Sequence, residues 1–281
     1  MARSGTWMRE TAIEWWTYGP IAGDYSAIAE PAYFAKPAAD LVALLEIAPG
    51  MRVADIGTGS GAVAAVAENA VAPGGFVIGM DPSIAMLSTA KRKLVGTYLV
   101  AAGLPYLPCL RSRIDVAFAA FALTHVTHLE QALASMIEVV KPGGRIGISS
   151  WGASPAATPP GTLWQATAED FVRKDVLQRA METALPSEGL FSATSGLHAV
   201  LANAGLVDVK AEERWYEVQL STESFIASRL ISLPSRFMQA TLSLSAWEAF
   251  RHEVSRRIHD SFGSQLKFTV SVNLGVGARA A

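Results

Sequence analysis

A chain of 281 residues, 51% hydrophobic and 17% charged, can bury a sizeable core and is not a disordered segment. Its formal net charge of −2 supplies no basic field for DNA or RNA, and its single cysteine, Cys109, excludes an internal disulfide or a cysteine-based zinc site. No uncharged run reaches membrane-spanning length, and no carboxylate and histidine cluster has metal-ligand spacing.

Met1 to Trp16 carries Arg3, Arg9, Glu10 and Glu14 and has no apolar signal-peptide segment. Residues 1–36 form an arm crowded with Trp7, Trp15, Trp16, Tyr18, Tyr25, Tyr33 and Phe34, broken at Gly19-Pro20 and Gly23-Asp24 into short helical pieces. Such an arm either packs on the domain or closes over a site. Apolar positions 41, 42, 44, 45 and 47 predict a helix over 37–47. Met51 to Ile56 reads as a buried strand, followed by Gly57, Gly59 and Gly61 and by a helix from Ala62. A strand, a glycine turn and a helix make the opening unit of a nucleotide-binding α/β sheet. A second strand, Phe76 to Met80, ends at Asp81, where a carboxylate can accept hydrogen bonds from ribose hydroxyls. Pro82 opens the next helix, with Ile84, Met86, Leu87 and Leu94 on its buried face and Lys91, Arg92 and Lys93 in its last turn.

Thr97 to Ala101 is the third strand and Ile114 to Phe121 a long fourth one, central and buried on both faces, with Asp115 structural. At its carboxyl end lie His125 and His128. Histidine titrates near neutrality, so His125 is a base, a pocket contact or a structural residue; His128 is a surface or capping residue. Leu129 to Val140 is amphipathic, and Arg145 to Ser150 forms the fifth strand. Trp151 follows, placed to stack on a substrate or to close the core. After a linker, Leu163 to Leu185 reads as one helix, Ser195 to Ala204 as another, and Leu206 to Leu220 as the sixth strand. Helices fill 222–262, with a capping box at Ser245-Ala246-Trp247-Glu248 and a solvated charged face including Arg229, Arg251 and Arg256. Leu266 to Val276 is the last strand.

Asp55-Ile56-Gly57-Thr58-Gly59-Ser60-Gly61 resembles motif I of class I S-adenosylmethionine (SAM) methyltransferases, D-x-G-x-G-x-G. Gly79 to Leu87 resembles that family's G-x-D-x-S-x-x-M-L, Ile114 to Phe118 its fourth strand, and Val139 to Ile146 the L-K-P-G-G-R turn before its fifth. The likeness covers roughly residues 40–150 and is nearest the small-molecule, ubiquinone/menaquinone-biosynthesis type. It implies an α/β, Rossmann-like, seven-stranded and mostly parallel sheet with the last strand antiparallel, helices on both faces and helical lid insertions. The implied divisions are an arm at 1–36, a SAM-binding core at 37–151, a lid at 152–190, and the rest of the core at 191–281 with the 222–262 insertion.

The resemblance implies SAM as cofactor, with S-adenosylhomocysteine as product. Asp55, Gly57, Thr58, Gly59 and Gly61 would hold the methionine portion and Asp81 the ribose. Pro82, Met80, Ile84, Ala101, Ala102 and Phe121 would line the rest of the site. Asp55 as a turn residue and Asp81 as a helix cap are the structural alternatives. Tyr18, Tyr25 and Trp151 are expected to face an uncharged, lipophilic or aromatic small-molecule acceptor. No nucleic acid or membrane partner is expected, a homodimer is left open, and the location is cytoplasmic. Ala102 to Tyr106 resembles the family's G-D-A-x-x-L-P-F, which sets Val100 where an adenine-binding aspartate is usual. Either backbone near Ala101 and Ala102 replaces it, or cofactor affinity falls by about 1 kcal/mol. That departure also leaves open a protein of this fold that binds SAM structurally and catalyses a non-methylating step such as a cyclisation.

Overall fold

The computed structural model describes residues 15–109 and 111–281; Trp7 and the rest of 1–14 lie outside the described residues. The strands are β1 (Arg52–Ile56), β2 (Phe76–Asp81), β3 (Thr97–Ala101), β4 (Ile114–Ala120), β5 (Val140–Trp151), β6 (Leu206–Ser221) and β7 (Gln265–Arg279). They form one sheet in the order β3-β2-β1-β4-β5-β7-β6. β1 to β5 pair in parallel, and β7 runs antiparallel to both β5 and β6. This is the expected seven-stranded sheet.

β4 is buried over its first six positions and β1 over its last four, which is why both read as unbroken apolar runs rather than alternating ones. Helices Leu129–Val139 and Thr194–Asn203 cover one face, around Met80, Met136 and Ile146. Helices Ala35–Leu44 and Ala62–Val71, with the helices of the two later insertions, cover the other, around Phe118, Trp164 and Phe250. Chain order reverses at β1, whose neighbours are β2 and β4. The crevice beyond the carboxyl ends of these strands is therefore the place where such sheets bind ligands.

Three expectations are corrected, and the arm is not among them: as expected it is in short helical pieces, Gly19–Ile21 and Ala22–Asp24, before a π-helix, Tyr25–Phe34, that continues as helix Ala35–Leu44. Pro31 inside it has no N–H to give the ladder. The single helix expected over 163–185 is two, Pro159–Glu169 and Lys174–Ala184, because the chain turns to seat Phe171 edge-on against Phe250. The cap of the last helix is Ser243, whose Oγ accepts from Ala246 N at 3.2 Å, not Ser245; Glu248 pairs with Arg251 instead. Arg229 is not on a solvated face but buried.

Asp115 is structural, as expected. Its carboxylate accepts from Arg52 N (2.7 Å) and Arg52 Nε (3.0 Å) and pairs with Lys141 Nζ at 2.6 Å. Burial alone would raise its pKa, but these bonds outweigh burial and lower it to about 2. A depressed carboxyl contributes stability that is present above the ordinary carboxylate range and lost as pH falls through the folded value. Asp115→Ala should therefore cost about 1 kcal/mol at neutral pH, since both cations are partly solvated. Urea unfolding should show the gap from wild type closing between about pH 4 and 2; a gap independent of pH would contradict the assignment.

Candidate functional site

The turn after β1 is stitched to the end of β2. Gly57 N and Thr58 N both donate to Met80 O, at 2.8 and 2.9 Å, and Gly59 N donates to Asp81 Oδ2 at 2.9 Å. Gly57, Gly59 and Gly61 have φ of 74°, 54° and 88°, the left-handed region that glycine enters without steric cost. A Cβ on Gly57 would stand 2.5 Å from the Ala122 methyl. Helix Ala62–Val71 begins at Gly61 with no side-chain cap of its own. Just before the turn, Asp55 accepts from Thr58 Oγ1 at 2.7 Å.

Asp55 is fully buried. Burial raises its pKa to about 7, against the Thr58 bond and with help from the Asp81 carboxylate. Asp81 accepts from Gly59 on one oxygen and from Ser83 N (2.8 Å) on the other. Each oxygen keeps a second lone pair for a ligand hydroxyl. Met80 is a correction: its side chain lies wholly in the core, so it offers an adenine no surface, and its carbonyl staples the turn. Beside Asp81, Ile84 is 64% exposed, Pro82 and Ala101 are also open, and Ala102 N donates to Asp81 O at 3.3 Å. Together they make an apolar shelf. Val100 packs into the core with Ala102 and Leu104 and presents no polar acceptor there.

The other wall is aromatic. Phe121 holds φ at 54°, uncommon for a bulky residue and a backbone strain of order ~1 kcal/mol. Its ring lies 4.9 Å from both Phe34 and Trp151. Tyr25 stacks on Phe34 at 5.5 Å. With the turn, Tyr25, Phe34 and Phe121 border a narrow cleft that Asp55, Gly57, Thr58, Gly59, Ser60 and Ser149 also line; the buried Ser149 Oγ has no hydrogen-bond partner among the described residues. The arm is latched to the turn through Glu30, which accepts from Ser60 Oγ (2.5 Å) and Lys93 Nζ (2.6 Å). Lys93 is thus a latch rather than a dipole partner, because helix Ile84–Lys91 has already ended.

His125 sits in the turn after β4. Its Nδ1 is 3.2 Å from Ala184 O, which can only accept, so Nδ1 carries the proton. Nε2 is then the bare nitrogen, and it accepts from the Tyr18 hydroxyl at 3.2 Å. Burial lowers the histidine to about 4, opposed by the Ala184 bond and reinforced by Arg236. Arg236 lies 4.8 Å from the centre of the Tyr18 ring, and Tyr18 meets Tyr25 edge-on at 5.7 Å. His128 is exposed and makes no side-chain cap.

The structure therefore gathers Asp55, Gly57, Thr58, Gly59, Phe121 and Tyr25 around one cleft, with Gly61 behind the turn, and carries on through Asp81, Pro82, Ile84, Ala101 and Ala102. Trp151 lies a layer back; Tyr18 and His125 flank Tyr25. Sequence reasoning missed Phe34 as a wall, Glu30 as the latch, and Arg236. Spacing held a signal for the last: Leu233 and Arg236 are three apart on a helix whose buried face includes both. Among the described residues no group of His, Cys, Asp and Glu could hold a metal ion, and no helix is long and apolar enough to cross a membrane.

Residues 53–144 match a family model described as a methyltransferase domain. The ubiquinone/menaquinone biosynthesis C-methyltransferase UbiE of Ectopseudomonas mendocina is 36% identical over 111 residues, which are 37% of this chain and 43% of that protein. The chain thus spans under half the length of the curated relatives it matches. A phosphoethanolamine N-methyltransferase of Haemonchus contortus, solved with SAM, superposes with a TM-score of 0.58 at 15% identity, over 100% of this chain and 62% of that one. The cyclase SpnF gives 0.51 at 17% identity, over 88% and 82%. At those identities the likeness is one of fold, the class I methyltransferase fold.

Two outcomes follow for SAM. Asp81→Ala should weaken its binding by one to two orders of magnitude, about 1.5–3 kcal/mol for charge-assisted bonds; unchanged affinity by calorimetry would remove the ribose role. Asp55, whose pKa burial raises to about 7, should ionise when a cation arrives, so affinity should rise from about pH 6 to 8. Asp55→Asn keeps only the ligand's own titration, and identical pH profiles for the two proteins would contradict this.

Proposed function

We propose that this chain, whose residues 53–144 match a methyltransferase domain, is a SAM-dependent methyltransferase acting on a lipophilic or aromatic small molecule. The observation that carries the reading is the glycine turn stitched to Met80 and Asp81 at the sheet's switch point. SAM would supply an already electrophilic methyl on a sulfonium, so no covalent intermediate with the protein is needed. The residues fit it. Asp81 retains lone pairs for ribose hydroxyls, and Asp55 lies under the turn where a cationic methionine end would re-ionise it. Ile84, Ala101 and Ala102 give the adenine an apolar shelf.

The chain's own task is to align and dry the site. Phe121, Phe34 and Tyr25, with Trp151 packed behind Phe121, wall the cleft against water, and the Glu30 latch holds the arm against the turn. Positioning of this kind can supply ~7–11 kcal/mol of barrier reduction. Tyr18 is the arm hydroxyl we assign to the acceptor. His125 orients that hydroxyl through Nε2, and its own protonation plays little part near neutrality because its pKa is about 4. The named activity of the UbiE relatives supports carbon among the acceptor atoms, alongside oxygen.

Incubation with methyl-labelled SAM and a panel of lipophilic and aromatic acceptors should give labelled product. Bound SAM with no transfer across the panel would favour the second reading, a non-methylating step on this fold, which the apolar Val100 motivates. With SAM saturating, so that the Asp55 titration of its affinity does not enter, kcat should show no titration near pH 6.5, and His125→Ala should lower kcat about tenfold while SAM affinity holds. A limb at about pH 6.5 that His125→Ala abolishes would make His125 the base.

A further inference from the structure

Two arginines of the 222–262 insertion are buried without an anion. Arg229 is 8% exposed and Arg236 7%, and among the described residues neither forms an ion pair. Arg236 Nη1 donates to Thr17 O at 2.5 Å, and among the described residues its Nε and Nη2, like Arg229 Nε, have no hydrogen-bond partner. Their neighbours are neutral tyrosines, Tyr18 and Tyr25 for Arg236 and Tyr33 for Arg229, and burial lowers the pKa of both guanidinium groups. A buried guanidinium lacking a counter-charge is costly, and removing it or pairing it relieves the cost. Both lie against the same run of rings. Arg236 covers Tyr18, which meets Tyr25; Tyr25 stacks on Phe34, Phe34 meets Trp151, and Trp151 meets Tyr33. Tyr33 in turn bonds Ser228, next to Arg229, at 3.2 Å.

We infer that the acceptor side of the cleft takes an anion: an amphipathic molecule whose aromatic or lipophilic body lies on Tyr25 and Phe34, which line the cleft, and whose carboxylate or phosphate reaches past Tyr25 and Tyr18 to the N–H groups of Arg236, with Arg229 adding to the positive field. This rests on the methyltransferase reading and replaces the sequence expectation of an uncharged acceptor. A planar guanidinium with two unused N–H groups matches the two oxygens of such a group.

Calorimetry on the full chain should compare trans-cinnamate, its neutral amide cinnamamide, and phenyl phosphate. The wild type should bind at least one of the two anions about tenfold more tightly than the amide, and which of the two binds distinguishes carboxylate from phosphate. Arg236→Met should abolish that preference and raise Tm, whereas a structural arginine would lower Tm and weaken acid and amide alike. Arg236→Lys should keep part of the preference. Equal binding of acid and amide, a preference that survives Arg236→Met, or no saturable binding of either anion overturns the inference. SAM binding, measured separately, distinguishes the two claims: an anion preference without SAM binding would sink the methyltransferase reading and leave the anion site standing.

Discussion

The open end of the sheet depends on the missing side chain at Gly57. With a methyl there, Ala122 would be struck at 2.5 Å, and the turn could not lie flat between β1 and the chain leaving β4. Lying flat brings Gly57 and Thr58 to the Met80 carbonyl and Gly59 to the Asp81 carboxylate. One backbone constraint thus fixes three things together: the start of helix Ala62–Val71, the direction of Asp81, and the floor of the cleft. The turn's N–H groups at Gly57, Thr58 and Gly59 are spent within the protein. The turn therefore serves a ligand by letting it approach closely rather than by cradling an anion, which suits a cationic sulfonium better than a phosphate.

The arm completes what the sheet begins. A π-helix places Tyr25, Glu30, Tyr33 and Phe34 in one short segment, and each meets a different part of the site. Glu30 reaches the turn, Phe34 the strained Phe121, and Tyr33 the buried end of helix Thr222–Leu230. The 222–262 insertion answers with Arg236 over Tyr18. The end of helix Lys174–Ala184 answers too, through the Ala184 carbonyl that fixes the His125 tautomer. Residues from four distant stretches of chain converge on Tyr18 and His125, and the same packing that excludes water also lowers the histidine pKa.

Much of this was legible in the chain. The sheet could be read because β1 and β4 are central and hence continuously apolar, and because glycines at 57, 59 and 61 mark a turn that only glycine can make. Asp81 could be placed because it directly ends an apolar strand. What could not be read depends on contacts far apart in sequence. His125 reads from the chain as a base, a pocket contact or a structural residue, because histidine ordinarily titrates near neutrality; its burial, with Ala184 and Tyr18 on its two nitrogens, is tertiary. Asp55 reads from the chain as a ligand contact or a turn residue; its complete burial and its bond to Thr58 Oγ1 are set by the folded turn. Arg229 looked solvated because arginine usually is, although Phe225, four residues earlier, is buried on the same helix. The split of 163–185 follows from Phe171 seeking Phe250, which no local pattern announces.

The most direct test of the account is a crystal structure of the chain with S-adenosylhomocysteine. The account predicts the nucleoside against Gly57 to Gly61, with its ribose hydroxyls on Asp81 and its adenine beside Ile84 and Ala102. A well-ordered ligand bound elsewhere, with the turn bare, would contradict it.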